Sequence, residues 1–223
     1  MPEVEALKFV ATPEKGEVSA FLSRPSGART LLVLGHGAGS TALHPLVVGL
    51  SQALNLVGVA TFRFNYPYSE KGRGMDSEVV RLATVRRAVE TANERAGTLP
   101  VFAGGHSMSG RMMSMARAKG PMPGVRGLVF FAFPLYAAEP NLSRAQHLAA
   151  VELPMLFVSG TRDKMADTER LGAVVQGLGS ARLQLVDTAD HGFKVQKRRQ
   201  TTEPVLDEVA RVTEQWMTDV LGR

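Results

Sequence analysis

Ser107 stands in Gly104-Gly105-His106-Ser107-Met108-Ser109-Gly110-Arg111, after an apolar run and at the head of Met108–Lys119, a segment of good helix formers. A serine on a strand-to-helix turn is held in a tight backbone conformation with its hydroxyl exposed, and the positions two residues to either side must be small. Gly105 and Ser109 meet that requirement, although the usual pattern has glycine where Ser109 stands. Taken alone, the motif also reads as a glycine-rich turn with an N-cap serine. A serine hydroxyl is a weak nucleophile that needs a base, and the base needs an orienting group. Downstream, Ser159-Gly160-Thr161-Arg162-Asp163 follows the apolar run Pro154–Val158, and Asp190-His191-Gly192-Phe193 follows Arg182–Val186. Ser107, Asp163 and His191 therefore form an expected nucleophile, acid and base for acyl transfer, each just past the carboxyl end of a strand.

A fourth element is Gly35-His36-Gly37-Ala38-Gly39-Ser40, after the run Leu31–Leu34. Attack by a serine puts negative charge on the former carbonyl oxygen, which fixed backbone N–H donors stabilise. Ala38 and Met108 are the expected donors of this oxyanion hole. The loop's spacing matches neither phosphate-cradling motif, GxGxxG or GxxxxGK[ST]. His36 is expected to brace the loop. Arg63, at the end of a strand, and Arg111, one turn beyond Ser107, are candidate substrate-binding residues that would clamp a carboxylate and favour anionic esters; ion pairing within the scaffold is the alternative.

The other polar candidates carry less. His106 is expected to point away from the site in a structural role. His44 and His147 read as surface or loop-bracing residues, His147 lying where a pocket wall could form. Asp167, Asp187 and Asp190 compete with Asp163 for the acid role, but Asp167 falls within or at the start of a helix and the other two lie too close to the histidine. The five histidines show no HExxH-like spacing, so no metal site is expected.

Positioning these groups requires a sheet. Apolar runs at Leu31–Gly35, Val57–Phe64, Pro100–Gly105, Val125–Phe133, Pro154–Gly160 and Arg182–Val186 alternate with amphipathic segments. That pattern predicts an α/β fold whose mainly parallel strands are covered on both faces. Ala6–Ala11 and Val18–Ser23, separated by Pro13–Gly16, predict an N-terminal hairpin. One helix is expected from an Asp76 N-cap to Gly97, with Val79, Leu82, Val85, Ala88, Val89 and Ala92 on its apolar face. Others are expected over Met165–Leu178 and Glu203–Leu221, with a short one at Ser143–Ala150. The roughly 20 residues before Pro154 are too few for a lid domain.

With 223 residues, 44% hydrophobic and 21% charged, the chain suits one domain over residues 1–223 and excludes a disordered or fibrous class. The absence of cysteine excludes disulfides, thiolate metal sites and a cysteine nucleophile. The N-terminus lacks a basic-then-apolar leader, and the most apolar window, Gly127–Ala138, is broken by Pro134 and too short to span a membrane. A cytoplasmic protein without membrane attachment is expected. The net charge of +5 is mostly dispersed, and the one dense run, Lys194, Lys197, Arg198 and Arg199, has no aromatic residue suited to stacking bases. It reads as a solvated face, and nucleic-acid binding is disfavoured.

The sequence resembles the α/β-hydrolase superfamily over nearly its whole length. It looks most like the small, lidless dienelactone-hydrolase-like branch that includes the testis-expressed and NSL-complex-subunit homologues. The resemblance is carried by His36-Gly37-Ala38-Gly39, Arg63-Phe64-Asn65-Tyr66-Pro67-Tyr68, Gly104–Arg111, Gly160-Thr161-Arg162-Asp163 and Asp190-His191-Gly192-Phe193-Lys194. It implies an eight-stranded, mostly parallel sheet flanked by helices, with Ser107 as nucleophile, His191 as base and Asp163 as acid. Dienelactone hydrolases proper use a cysteine nucleophile, which this chain lacks. The expected function is cofactor-free serine hydrolysis of a small-molecule ester or related acyl bond through an acyl-enzyme. The rival is a non-catalytic protein of the same fold that binds a partner through its surface.

Overall fold

The computed structural model describes residues 2–72, 74–136, 142–199 and 201–222. The six apolar runs become β3 (Thr30–Gly35), β4 (Val59–Phe64), β5 (Val101–His106), β6 (Val125–Phe131), β7 (Met155–Gly160) and β8 (Ala181–Val186), all parallel. β3, β4 and β7 are buried at every residue, the consequence of having helices on both faces. The edge strand β8 keeps two exposed positions, Arg182 and Leu185, and is covered only in part. The hairpin of β1 (Val4–Thr12) and β2 (Gly16–Ser23) extends the sheet, β2 pairing antiparallel with β4. The eight strands lie in the order β1-β2-β4-β3-β5-β6-β7-β8. The chain leaves β3 in one direction for β4 and returns across it to β5. The crevice at this switch point, outside the strands' carboxyl ends, is where such sheets hold ligands.

Five helices cover the two faces. α1 (Pro45–Leu56) and α6 (Val205–Leu221) pack on one side, where Val47, Leu50, Leu54, Val209 and Trp216 meet Phe102 and Val129. α3 (Glu78–Ala96), α4 (Met108–Ala118) and α5 (Thr168–Gln176) pack on the other against Phe130, Phe133 and Phe157, whose rings meet edge-on at 4.7–5.6 Å. A five-residue helix, α2 (Pro67–Lys71), follows β4.

Several boundaries differ from expectation. The N-cap of α3 is Ser77, whose side chain accepts from Val80 N–H; Asp76 instead accepts the Tyr68 amide and pairs with Lys15 at 2.9 Å. Val79, expected on the apolar face, is 76% exposed in the first turn of α3. α5 is shorter than predicted, starting after its Asp167 cap, which accepts from Arg170 N–H at 3.0 Å. Ser143–Ala150 is two short 3-10 turns, Leu142–Arg144 and Gln146–Ala150, rather than one helix. The neighbouring residues 137–141 lie outside the described residues. α1 and α2 had no sequence prediction, though Pro45 at the first helical position and the Val47, Leu50, Leu54 spacing mark α1. Among the described residues no helix is long and apolar enough to cross a membrane.

Candidate active site

β5 ends in a sharp turn at Ser107, whose φ of 51° and ψ of −113° are unfavourable for any residue with a Cβ. Two contacts hold the strain. Ser107 N–H donates to Phe131 O on β6 at 2.8 Å, and α4 starts at the next residue. The turn closes so tightly that a Cβ on Gly105 would lie 2.7 Å from that of Ser109. Ser109 is fully buried, accepts the Tyr66 hydroxyl at 2.9 Å and donates to His36 O. The serine that departs from the usual glycine therefore ties the turn after β5 to the loop after β3.

The loops after β7 and β8 are joined to each other. Thr161 N–H and Arg162 N–H donate to Val186 O and Ala189 O at 3.0 and 2.9 Å, and Thr188 N–H donates to Thr161 Oγ1 at 2.9 Å. This pairing carries Asp163 and His191 together. Nδ1 of His191 lies 2.9 and 2.8 Å from the two Asp163 carboxylate oxygens, and Nε2 lies 2.9 Å from Ser107 Oγ. The carboxylate accepts only, so the proton sits on Nδ1 and the Nε2 lone pair faces the serine hydroxyl. Asp163 also accepts Met165 N–H at 2.8 Å; its side chain is completely buried, while that of His191 is 26% exposed. The competing carboxylates are engaged elsewhere or remote. Asp167 caps α5, Asp190 accepts Gly192 N–H and Lys194 N–H, and Asp187 is exposed.

Ala38 and Met108 fall on the two loops that face each other across the switch point. Among the described residues neither N–H has a protein acceptor. His36 is wholly buried beneath this loop, with Nδ1 donating to Gly37 O at 2.8 Å and Nε2 3.1 Å from Ser69 Oγ. Burial pushes its pKa down to about 4. Asn65 and Arg63 hold the loop's far end, accepting Ala42 N–H at 2.7 Å and donating to Ala42 O at 2.8 Å respectively. Arg63 is 4% exposed and lies over the Phe21 ring, so the structure places it as a loop brace rather than at the crevice surface.

Arg111 is half-buried on α4; its Nε has no partner among the described residues, and burial followed by the nearby charge of Arg144 lowers its pKa. His147 reaches Ser114 Oγ at 2.7 Å, and burial lowers its pKa to about 4. His44 is exposed and caps α1. In the basic run, Arg199 pairs with Glu208, while Lys194, Lys197 and Arg198 are exposed. Among the described residues no group of three or more His, Asp or Glu side chains is placed to hold a metal. Sequence reasoning gave no part to Asn65, Tyr66 or the bridging hydroxyl of Ser109, although all three lie in segments that carry the family resemblance. It also expected His106 to point away, whereas His106 Nε2 lies 2.8 Å from His191 O.

A family model described as Alpha/beta hydrolase domain matches residues 28–218. The chain belongs to this family. Among solved structures, the α/β-hydrolase chain is similar to a dienelactone hydrolase from Anabaena variabilis, at 21% identity over 98% of both chains with a TM-score of 0.72. It is similar to an α/β serine hydrolase homologue from Coxiella burnetii, at 20% identity over 97% of this chain and 98% of that one, with a TM-score of 0.74. A serine hydrolase without a lid from Xanthomonas campestris matches at 18% identity over 97% and 94%, with a TM-score of 0.73. At such identities the likeness is one of fold: an eight-stranded, mostly parallel α/β-hydrolase sheet, with lidless relatives.

Proposed function

We propose that this α/β-hydrolase is a serine hydrolase that cleaves an ester or related acyl bond of a small molecule. The observation that carries the proposal is the unbroken hydrogen-bond chain from Asp163 through His191 to Ser107. Ser107 Oγ attacks the acyl carbon while its proton passes to Nε2 of His191. Asp163 holds the ring and stabilises the imidazolium. The N–H groups of Ala38 and Met108 hold the oxyanion; one such donor is typically worth about 3 kcal/mol of barrier. As the tetrahedral species collapses, the bond to the leaving group breaks and the imidazolium protonates the departing atom. A water then gives its proton to His191 and attacks the acyl-enzyme, and Ser107 leaves with that proton. No step calls on a metal or organic cofactor.

Arg111 gives the crevice its charge preference in this scheme. Its Nε, without a partner among the described residues, and the like-charged Arg144 and Arg81 around it, opposed by Glu78, favour a substrate that brings a carboxylate. Kinship with the testis-expressed and NSL-complex-subunit branch, and action in the cytoplasm, belong to the same proposal.

The test is labelling with a fluorophosphonate probe, mapping the adduct by mass spectrometry and assaying short-chain esters. The expected adduct is on Ser107, and both labelling and turnover vanish in Ser107→Ala. Labelling that persists in the variant, or a wild-type protein neither labelled nor active, overturns the proposal.

A further inference from the structure

The hydrolytic scheme gives no task to His106, although its ring lies between His191 and the loop after β3. It precedes Ser107 in the chain, its Nε2 lies 2.8 Å from the main-chain carbonyl of His191, and the two imidazoles stand 5.1 Å apart at 54°. On its other side it meets Gly37 of the loop after β3, so closely that a Cβ there would lie 2.8 Å from His106 Nδ1. A carbonyl oxygen brings no proton, so His106 donates through Nε2–H and is the Nε2-protonated tautomer.

The turn around His191 takes its shape from its own hydrogen bonds, and its flanks are anchored by Arg162 N–H on Ala189 O and by the buried Phe193 side chain. Asp190 N–H donates to Lys194 O at 3.0 Å, Asp190 accepts Gly192 and Lys194 N–H, and Phe193 takes a φ of 59°. All of these bonds lie within the turn. The bond from His106 is different, because it runs from the nucleophile's strand to the base's main chain. We propose that His106 is a positioning residue, its Nε2–H holding the His191 main chain at the correct distance from Ser107 while its ring spaces that turn from Gly37. The proposal rests on the serine-hydrolase assignment. The titratable groups around the ring are His191 and Asp163 on the loops after β8 and β7, His44 ahead of α1, and His36 after β3. Burial lowers its pKa to about 4, and the Nε2–H donor is present both in this neutral tautomer and in the imidazolium.

His106→Leu keeps bulk and removes the donor; His106→Gln restores an N–H near the Nε2 position. In His106→Leu, kcat is expected to fall on the order of 100-fold, the cost typical of a small misplacement of a catalytic group, with KM within about twofold. His106→Gln recovers most of the lost kcat. A folded Leu variant with unchanged kcat overturns the proposal, as does equal loss in both variants. Should the Leu variant not fold, nitrogen-15 NMR of the wild-type protein decides: a ring protonated at Nε2 from pH 5 to 8 supports the bond, and a neutral ring protonated at Nδ1 alone overturns it. Failure of wild-type labelling at Ser107 sinks the hydrolase assignment, whereas an active wild-type protein with an indifferent Leu variant sinks the positioning role alone.

Discussion

Tyr66 and Ser109 share a buried hydrogen bond of 2.9 Å that links the segment after β4 to the first turn of α4. Ser109 passes it on to His36 O, so one chain of polar contacts spans the switch point behind the expected oxyanion site. The phenol is fully buried, and burial raises its pKa above the ordinary tyrosine value; it therefore remains the donor to Ser109.

Ser109→Ala orphans the Tyr66 hydroxyl and the His36 carbonyl. Loss of about 1–3 kcal/mol of stability is expected, from the usual cost of buried unpaired polar groups. Urea unfolding measures it, and Tyr66→Phe combined with Ser109→Ala should cost less than the sum of the two single changes.

Asp163→Asn removes the acceptor that keeps the proton on His191 Nδ1. With the tautomer reversed, kcat is expected to fall about 10⁴-fold with KM little changed. Steady-state kinetics on a short-chain ester checks this; a loss below tenfold would contradict the assigned acid.

Arg111→Gln removes the cation proposed to favour anionic substrates. The ratio of kcat/KM for a carboxylate-bearing ester to that for its neutral analogue should drop about tenfold, equivalent to one charge-assisted contact. An unchanged ratio returns Arg111 to a scaffold part.

Stability should fall on acidification. His36, His106 and His147 have pKa values lowered to about 4 by burial, against about 6.5 in the unfolded chain. Between those values the unfolded state binds protons that the folded state refuses, so stability declines as pH drops from about 6.5 towards 4. Urea midpoints across that range measure the decline, and replacing His147 with Gln should flatten it.

Much was legible in the sequence because it was local. Runs apolar at every position become strands buried on both faces, and residues that follow such runs fall at one sheet edge. Ser107, His191 and a short set of competing carboxylates could be named as candidates from that alone. The Asp76 cap and the Ser143–Ala150 helix could not be read correctly. Asp76 was claimed by Lys15 and by Tyr68 N–H, partners far along the chain or outside the helix, and no local pattern encodes them.

The sequence by itself determined the layer architecture and the chemical types available at the crevice, since periodicity and residue identity are properties of short stretches. Only the tertiary structure decided which carboxylate faces His191, that Arg63 braces a loop, and that His106 turns towards His191 O. Those choices depend on distances between loops from different strands. Hydrogen bonds act over about 3 Å, so a side chain's partner is fixed only when the sheet has brought those loops together.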